Sequence, residues 1–120
     1  MSHIVTITTK VHDPAAVTAA CNRLGLKAPV QGTAKLFSGE ATGLVVQFPG
    51  WVYPAVIDTL TGVIRYDNFN GHWGDQQQMH KFLQSYAVEK LKIEARKRGR
   101  TISEQQLTDG SIRLQIVEGS

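Results

Sequence analysis

Cysteine is almost missing from this 120-residue chain: Cys21 stands alone, so no intrachain disulfide can form. Small secreted domains usually carry paired cysteines, and the lone thiol points to a reducing, cytoplasmic setting. Long apolar runs are missing too. Nothing approaches the roughly 18 residues that a membrane span needs, so no membrane role is expected. The opening residues Met1 to Lys10 show no basic cap followed by an apolar block, which predicts no secretory leader. Repeats, low-complexity tracts and interdomain linkers are absent, and 120 residues cannot house two independent cores, so a single domain over 1–120 is expected. The motifs of common chemistries are lacking as well. There is no Gly-x-Ser-x-Gly elbow and no glycine-rich phosphate loop ending in Gly-Lys-Ser/Thr, so the familiar hydrolase and nucleotidase readings find no support.

What is present reads as an α+β pattern. Residues His3 to Val11 are rich in β-branched types and predict a strand. Asp13-Pro14 is an N-cap with proline at the first helical position, and Val17, Ala20, Cys21 and Leu24 then form one apolar stripe closed by Gly25. The middle third predicts four short antiparallel strands, at Thr33 to Phe37, Gly43 to Phe48, Tyr53 to Asp58 and Val63 to Asp67. Pro54 would place its strand at a sheet edge or sit unpaired. A glycine- and asparagine-rich loop, Asn68 to Gly74, leads to the longest helix, capped by Asp75 with Gln78 as capping-box partner and reaching about Arg98 before Gly99. Its stripe is Met79, Phe82, Leu83, Tyr86 and Ile93, widened by Ala87 and Leu91. Asp109-Gly110 suits a two-residue type I′ turn, which would set Leu107 opposite Ile112, Gln105 opposite Leu114 and Ser103 opposite Ile116. Ile112, Leu114 and Ile116 then form the buried face. The expected architecture is a mostly antiparallel twisted sheet with two helices packed on one face and a C-terminal β-hairpin.

Three stretches carry a likeness. Met1-Ser2-His3-Ile4, the segment Tyr53 to Gly62 followed by Val63-Ile64-Arg65-Tyr66-Asp67, and the ending from Gln84-Ser85-Tyr86-Ala87-Val88-Glu89-Lys90 through Asp109-Gly110-Ser111-Ile112-Arg113-Leu114 stand together. In combination they resemble a cyanobacterial and plastid family named after hypothetical chloroplast reading frame thirty-five, which has bacterial and phage-borne relatives. The resemblance spans nearly the whole chain and is strongest in the N-terminal strand and from Gln84 onward. It implies a small soluble intracellular protein without an assigned reaction, in a family sometimes found in gene neighbourhoods with an AAA-type ATPase. Such an ATPase is therefore an expected partner. The resemblance brings no catalytic signature, and no site residue is carried over from it.

Two stretches are candidate sites. The loop Tyr66 to Asp75 mixes polar, aromatic and titratable groups, and Asp67, Asn68, Phe69, His72 and Trp73 are its candidate binding residues. Trp73 or Phe69 can stack on a flat ligand, and a loop entering a helix can offer N–H groups to an anion; the structural alternative is a plug at the end of the core. The second stretch is basic. Seven of the 13 Lys+Arg lie between Lys81 and Arg100, opposed only by Glu89 and Glu94. Of these Lys90, Lys92, Arg96, Lys97 and Arg98 are candidates for a partner or phosphate, although cations at a helix C-terminus also offset its dipole. Lys90 falls inside the apolar stripe, so its stem should pack while its ammonium snorkels or meets a carboxylate or phosphate.

Metal and cofactor readings find nothing to build on. The histidines at 3, 12, 72 and 80 include no pair at i, i+4, so no metal site and no cofactor are expected. Cys21 lies on an apolar stripe and reads as a small buried hydrophobe. No catalytic residue is assigned, and an enzyme ranks last; coupling of His72 to Asp67 or Asp75 would revive it. The expectation is a non-enzymatic binding or accessory protein with a protein partner. Alternatives are a binder of a small anionic ligand such as a nucleotide, and a nucleic-acid-binding protein, whose net charge of +3 is modest. An oligomer formed through a sheet edge is a further possibility.

Overall fold

The computed structural model describes residues 4–118. His3, taken as the start of the first strand, lies outside them. The elements are β1 (Val5–Thr8), α1 (Pro14–Arg23), β2 (Val30–Lys35), β3 (Glu40–Val46), β4 (Ala55–Asp58), β5 (Val63–Tyr66), α2 (Gln76–Lys97), β6 (Arg100–Gln106) and β7 (Ile112–Glu118). Five strands form an antiparallel sheet in the order β1-β5-β4-β3-β2, and β6 and β7 pair as a separate hairpin. This is the expected α+β fold. Among the described residues no helix is long and apolar enough to cross a membrane.

The alternation of side chains along the strands builds the main core. Ile7, Ile64, Ile57 and Leu44 lie in register across four strands and face both helices. Val17, Ala20 and Cys21 of α1 and Met79, Phe82 and Tyr86 of α2 pack on that row. The caps read from sequence set the helix starts. Asp13 accepts hydrogen bonds from the N–H groups of Ala15 and Ala16, and Asp75 Oδ1 accepts from Gln77 N–H at 2.9 Å. The buried Tyr86 hydroxyl accepts from His12 and Asp13 N–H, both at 3.2 Å, so α2 holds the entry to α1.

The opposite sheet face buries a second, smaller cluster of Leu36, Ala41 and Val56, with Ile4 and Tyr53 against it. Ile4 precedes one edge strand and Leu36 follows the other, so the sheet curls enough to bring its two margins together. Gly43 permits close approach of β3 and β4: a Cβ there would strike the carbonyl of Ile57.

Pro54 precedes β4 without joining it, so of the two places read for it the unpaired one holds; β4 is an interior strand and the edges are β1 and β2. Two expectations need correction. Ala87 and Leu91 do not widen the buried stripe, since Ala87 is exposed and Leu91 is 41% exposed. Instead α2 buries a second side at Val88 and Ala95, roughly half a turn of the wheel from Met79, where β6 packs along the helix. The hairpin turn also differs. Leu107 N–H donates to Ser111 O and Gly110 N–H to Leu107 O, with Gly110 at φ +90°, so three residues form the loop. The extra loop residue shifts the register by one: Ile102, Glu104 and Gln106 face Ile116, Leu114 and Ile112. Ile112 and Leu114 are half-buried, but Ile116 is 52% exposed.

Candidate functional site

The chain leaves β5 at Tyr66 and reaches α2 through a tightly bonded loop. Asp67 and Asn68 turn inward. Asp67 is 1% exposed and its Oδ1 accepts from Phe69 N–H at 3.3 Å, while its Oδ2 has no hydrogen-bond partner among the described residues. The Asn68 amide donates to Gly74 O at 3.2 Å and to Gln76 Oε1 at 2.9 Å, and Gln76 in turn donates to the Tyr66 hydroxyl. These bonds anchor both ends of a single 3-10 turn at Phe69–Gly71. Inside it Phe69 and Asn70 hold φ of +48° and +54°. Asparagine tolerates that region, but a phenylalanine there costs about 1–2 kcal/mol. The loop therefore stores strain at Phe69, whose half-buried ring packs against Trp73.

Phe69 and Trp73 do not stand alone. Trp73 packs against Phe69 at 4.8 Å between ring centroids, against Phe37 at 5.2 Å and against Tyr53 at 5.7 Å. Phe37 sits at the turn after β2 and Tyr53 just before β4, so three chain segments supply one contiguous aromatic surface. Val52 adjoins it, its N–H donating to the Trp73 carbonyl at 2.8 Å. The exposures set the character of the cluster: Phe37 is 54% and Val52 58% exposed, while Tyr53, Phe69 and Trp73 are half-buried, so the rings form a partly open margin of the fold. Trp51 is the ring that plugs the core, with its indole N–H donating to Asp75 O. His72 is exposed and lies edge-on to Phe69; no hydrogen bond joins it to Asp67 or Asp75 among the described residues. Phe37, Val52 and Tyr53 escaped the sequence reading because they sit far from the loop along the chain.

The basic stretch is largely neutralised by its own fold. Lys90 bridges Asp13 Oδ2 at 3.0 Å and Glu94 Oε1 at 2.8 Å, and these carboxylates, Glu94 first, raise the pKa of its ammonium. The same Lys90 bond is the main reason that the Asp13 carboxyl sits below its ordinary value. Lys92 meets Glu104 and Glu89, and Lys97 meets Glu94 at 3.4 Å. Arg23 of α1 grips Glu104 with both guanidinium arms, and hydrogen bonds from Arg23 and Lys92 pull the Glu104 carboxyl down to about 2. Arg96 and Arg98 are exposed and carry no ion pair among the described residues. The five predicted basic residues thus divide into Lys90 and Lys92, which tie elements together, Lys97, which pairs within α2, and Arg96 and Arg98, which face solvent.

Elsewhere, among the described residues, no three His, Cys, Asp or Glu side chains gather where they could hold a metal ion. Cys21 is fully buried, and burial pushes its thiol up to about 11. Against known proteins, the chain matches no family model, no curated protein and no solved structure.

Proposed function

We propose that the chain is a non-enzymatic binding module whose protein partner docks on the aromatic face of Phe37, Val52, Tyr53, Phe69 and Trp73. The observation that carries this reading is the convergence of these rings from three segments at a margin where Phe37 and Val52 are exposed and Tyr53, Phe69 and Trp73 half-buried. Aromatic anchors supply most of the energy of protein interfaces, since each buries a large area at small entropic cost. The left-handed φ of Phe69 is a second support, because backbone strain concentrates where a side chain must be presented. Nucleic-acid binding is the weaker reading: Lys90, Lys92 and Lys97 already have carboxylate partners, which leaves few cations for phosphates. The resemblance to the reading-frame family makes an AAA-type ATPase the first candidate partner to try.

The test is crosslinked affinity capture from native extract with three baits: wild type, a Phe37→Ser/Val52→Ser variant and an Arg96→Glu/Arg98→Glu variant. The reading expects one partner lost from the first variant and kept by the second, with affinity about 30-fold weaker once the aromatic anchor is gone. Loss from the arginine variant alone would move the interface to the end of α2. A partner kept by both variants would end this proposal.

A further inference from the structure

The C-terminal ribbon has one edge without a partner. Strand β7 pairs with β6 along all seven of its residues, and neither strand joins the five-stranded sheet. Leu107 N–H donates to Ser111 O, which makes Leu107 and Ser111 a hydrogen-bonded pair. The register carries that pattern to Arg113, Gln115 and Val117, whose backbone groups therefore turn toward β6. Ile112, Leu114 and Ile116 turn theirs the other way, where no described residue donates or accepts.

The side chains of these three residues form an aliphatic row. It faces the body of the protein, since Glu104, opposite Leu114, is the carboxylate that meets Arg23 and Lys92. Helix α2 packs on β6 rather than on β7, so the row is incompletely covered: Ile112 and Leu114 are half-buried and Ile116 is 52% exposed. Natural sheet edges are blunted by proline, lysine, bulges or short length. From Ile112 to Val117 none of these occurs, and the one charge, Arg113, lies on the opposite face. The edges of the main sheet are poorer templates, because β1 has only four residues and β2 is interrupted by Gly32 and ends on Lys35.

The sequence of the strand says what fits against it. Ile112-Arg113-Leu114-Gln115-Ile116 keeps the same order of apolar and polar residues read in either direction. An antiparallel copy turned about Leu114 therefore sets Leu114 against Leu114, Ile112 against Ile116 and Arg113 against Gln115, with no like charges opposed. The neighbouring registers fail: turning about Arg113 opposes two arginines, and turning about Gln115 sets Ile112 against Glu118.

We propose that the chain pairs with a second copy of itself through β7, joining two ribbons into one four-stranded antiparallel sheet about a two-fold axis at Leu114. Ile112, Leu114 and Ile116 of the two copies exchange about six backbone hydrogen bonds, and their side chains close into one aliphatic strip. None of Phe37, Val52, Tyr53, Phe69 and Trp73 lies on the ribbon, so this pairing stands independently of the aromatic face.

The test is sedimentation equilibrium of the full chain from micromolar to millimolar concentration, where the wild type should pass from monomer to dimer. Leu114→Pro removes an N–H that points away from β6, so the ribbon keeps its own ladder while the joint loses its central pair. Ile116→Lys places a charge in the strip. Each should weaken association at least about tenfold, whereas Val117→Lys, on the other face, leaves it unchanged. Exchange protection of the Leu107 amide reports that the ribbon of each variant is folded. Under mild oxidation Leu114→Cys should crosslink to its own copy, since residues of a hydrogen-bonded pair lie about 5.5 Å apart, and Ile116→Cys should not. Cys21 is fully buried and does not compete. A wild type that stays monomeric, a dimer that survives both Leu114→Pro and Ile116→Lys, equal loss in Val117→Lys, or a crosslink through Ile116→Cys instead of Leu114→Cys overturns the proposal.

Discussion

Glu104 ties three elements at once, and its removal should be felt at neutral pH and vanish in acid. Its carboxylate on β6 meets Arg23 at the end of α1 and Lys92 on α2, and the side chain is 29% exposed. In the unfolded chain the group titrates near 4.5; in the folded one those two cations hold it at about 2. Because the folded value is depressed, the stabilisation is complete above 4.5 and is lost as pH falls toward 2. Expressed in full, a gap of that size would be roughly 3 kcal/mol. Water and salt reach this partly open cluster and screen it, which reduces the expected contribution to about 1–1.5 kcal/mol. Glu104→Gln keeps the shape and removes the charge, so its Tm near neutral pH should fall by about 4–6 °C. Thermal melts of both proteins across the acid range provide the assay, with hydrogen exchange of the β6 and β7 amides locating the loosening. The gap should close as pH approaches 2 and shrink in high salt. Equal Tm values at neutral pH, or a gap that persists below pH 2, would refute the argument that these charges dock the hairpin.

The remaining predictions concern the core and the caps. Gly74→Ala would set a Cβ 2.5 Å from the indole carbons of buried Trp51, and should cost about 2–3 kcal/mol in chemical denaturation with a changed tryptophan emission. Asp13→Ala removes the α1 cap along with a Lys90 partner and should cost about 1–2 kcal/mol, whereas Lys90→Met leaves the cap in place and should lose clearly less by the same measurement. A Lys90→Met loss matching that of Asp13→Ala would show that the ion pair, not the cap, dominates. Cys21, buried and pushed up to about 11, should resist thiol reagents in the native protein and react on unfolding; rapid native labelling would contradict that placement.

Much of the fold was legible in local signals, because caps and breakers act within a few residues. Asp13-Pro14 and Asp75 begin the two helices where expected, and Gly99 takes φ +70° just past the end of α2. The errors come from places where two local solutions are equally good. Gly110 supplies the positive φ that both a two-residue and a three-residue hairpin loop require, so the turn sequence alone does not choose the register. The choice falls to packing: the three-residue loop pairs Ile102 with Ile116, while Leu107, placed opposite Ile112 by the shorter loop, is left at the turn. Strand β2 begins at Val30, earlier than the alternation indicates, because Gly32 interrupts the pattern. It sits opposite Gly43 in the β2–β3 ladder.

The site was half legible, for a reason rooted in topology. The loop from Asp67 to Asp75 announces itself by composition, which leaves Trp73 and Phe69 two readings, rings that stack on a ligand or a plug at the end of the core. Whether they plug or present depends on what the fold brings beside them. Antiparallel order in the sheet places the β2–β3 turn, the β3–β4 connection and the β5–α2 loop close enough for Phe37, Tyr53 and Trp73 to touch, although they are up to 36 positions apart in the chain. Trp51 is the tryptophan buried in the core, while Trp73 stays half-buried beside Phe37, Tyr53 and Phe69. The basic helix end shows the reverse case. Its cations are dense in sequence, but their partners Asp13 and Glu104 come from a helix cap and a hairpin that only the folded chain brings to α2. A charge run is therefore a weak pointer to a ligand until the carboxylates of every neighbouring element have been placed, whereas an exposed ring cluster needs no such subtraction.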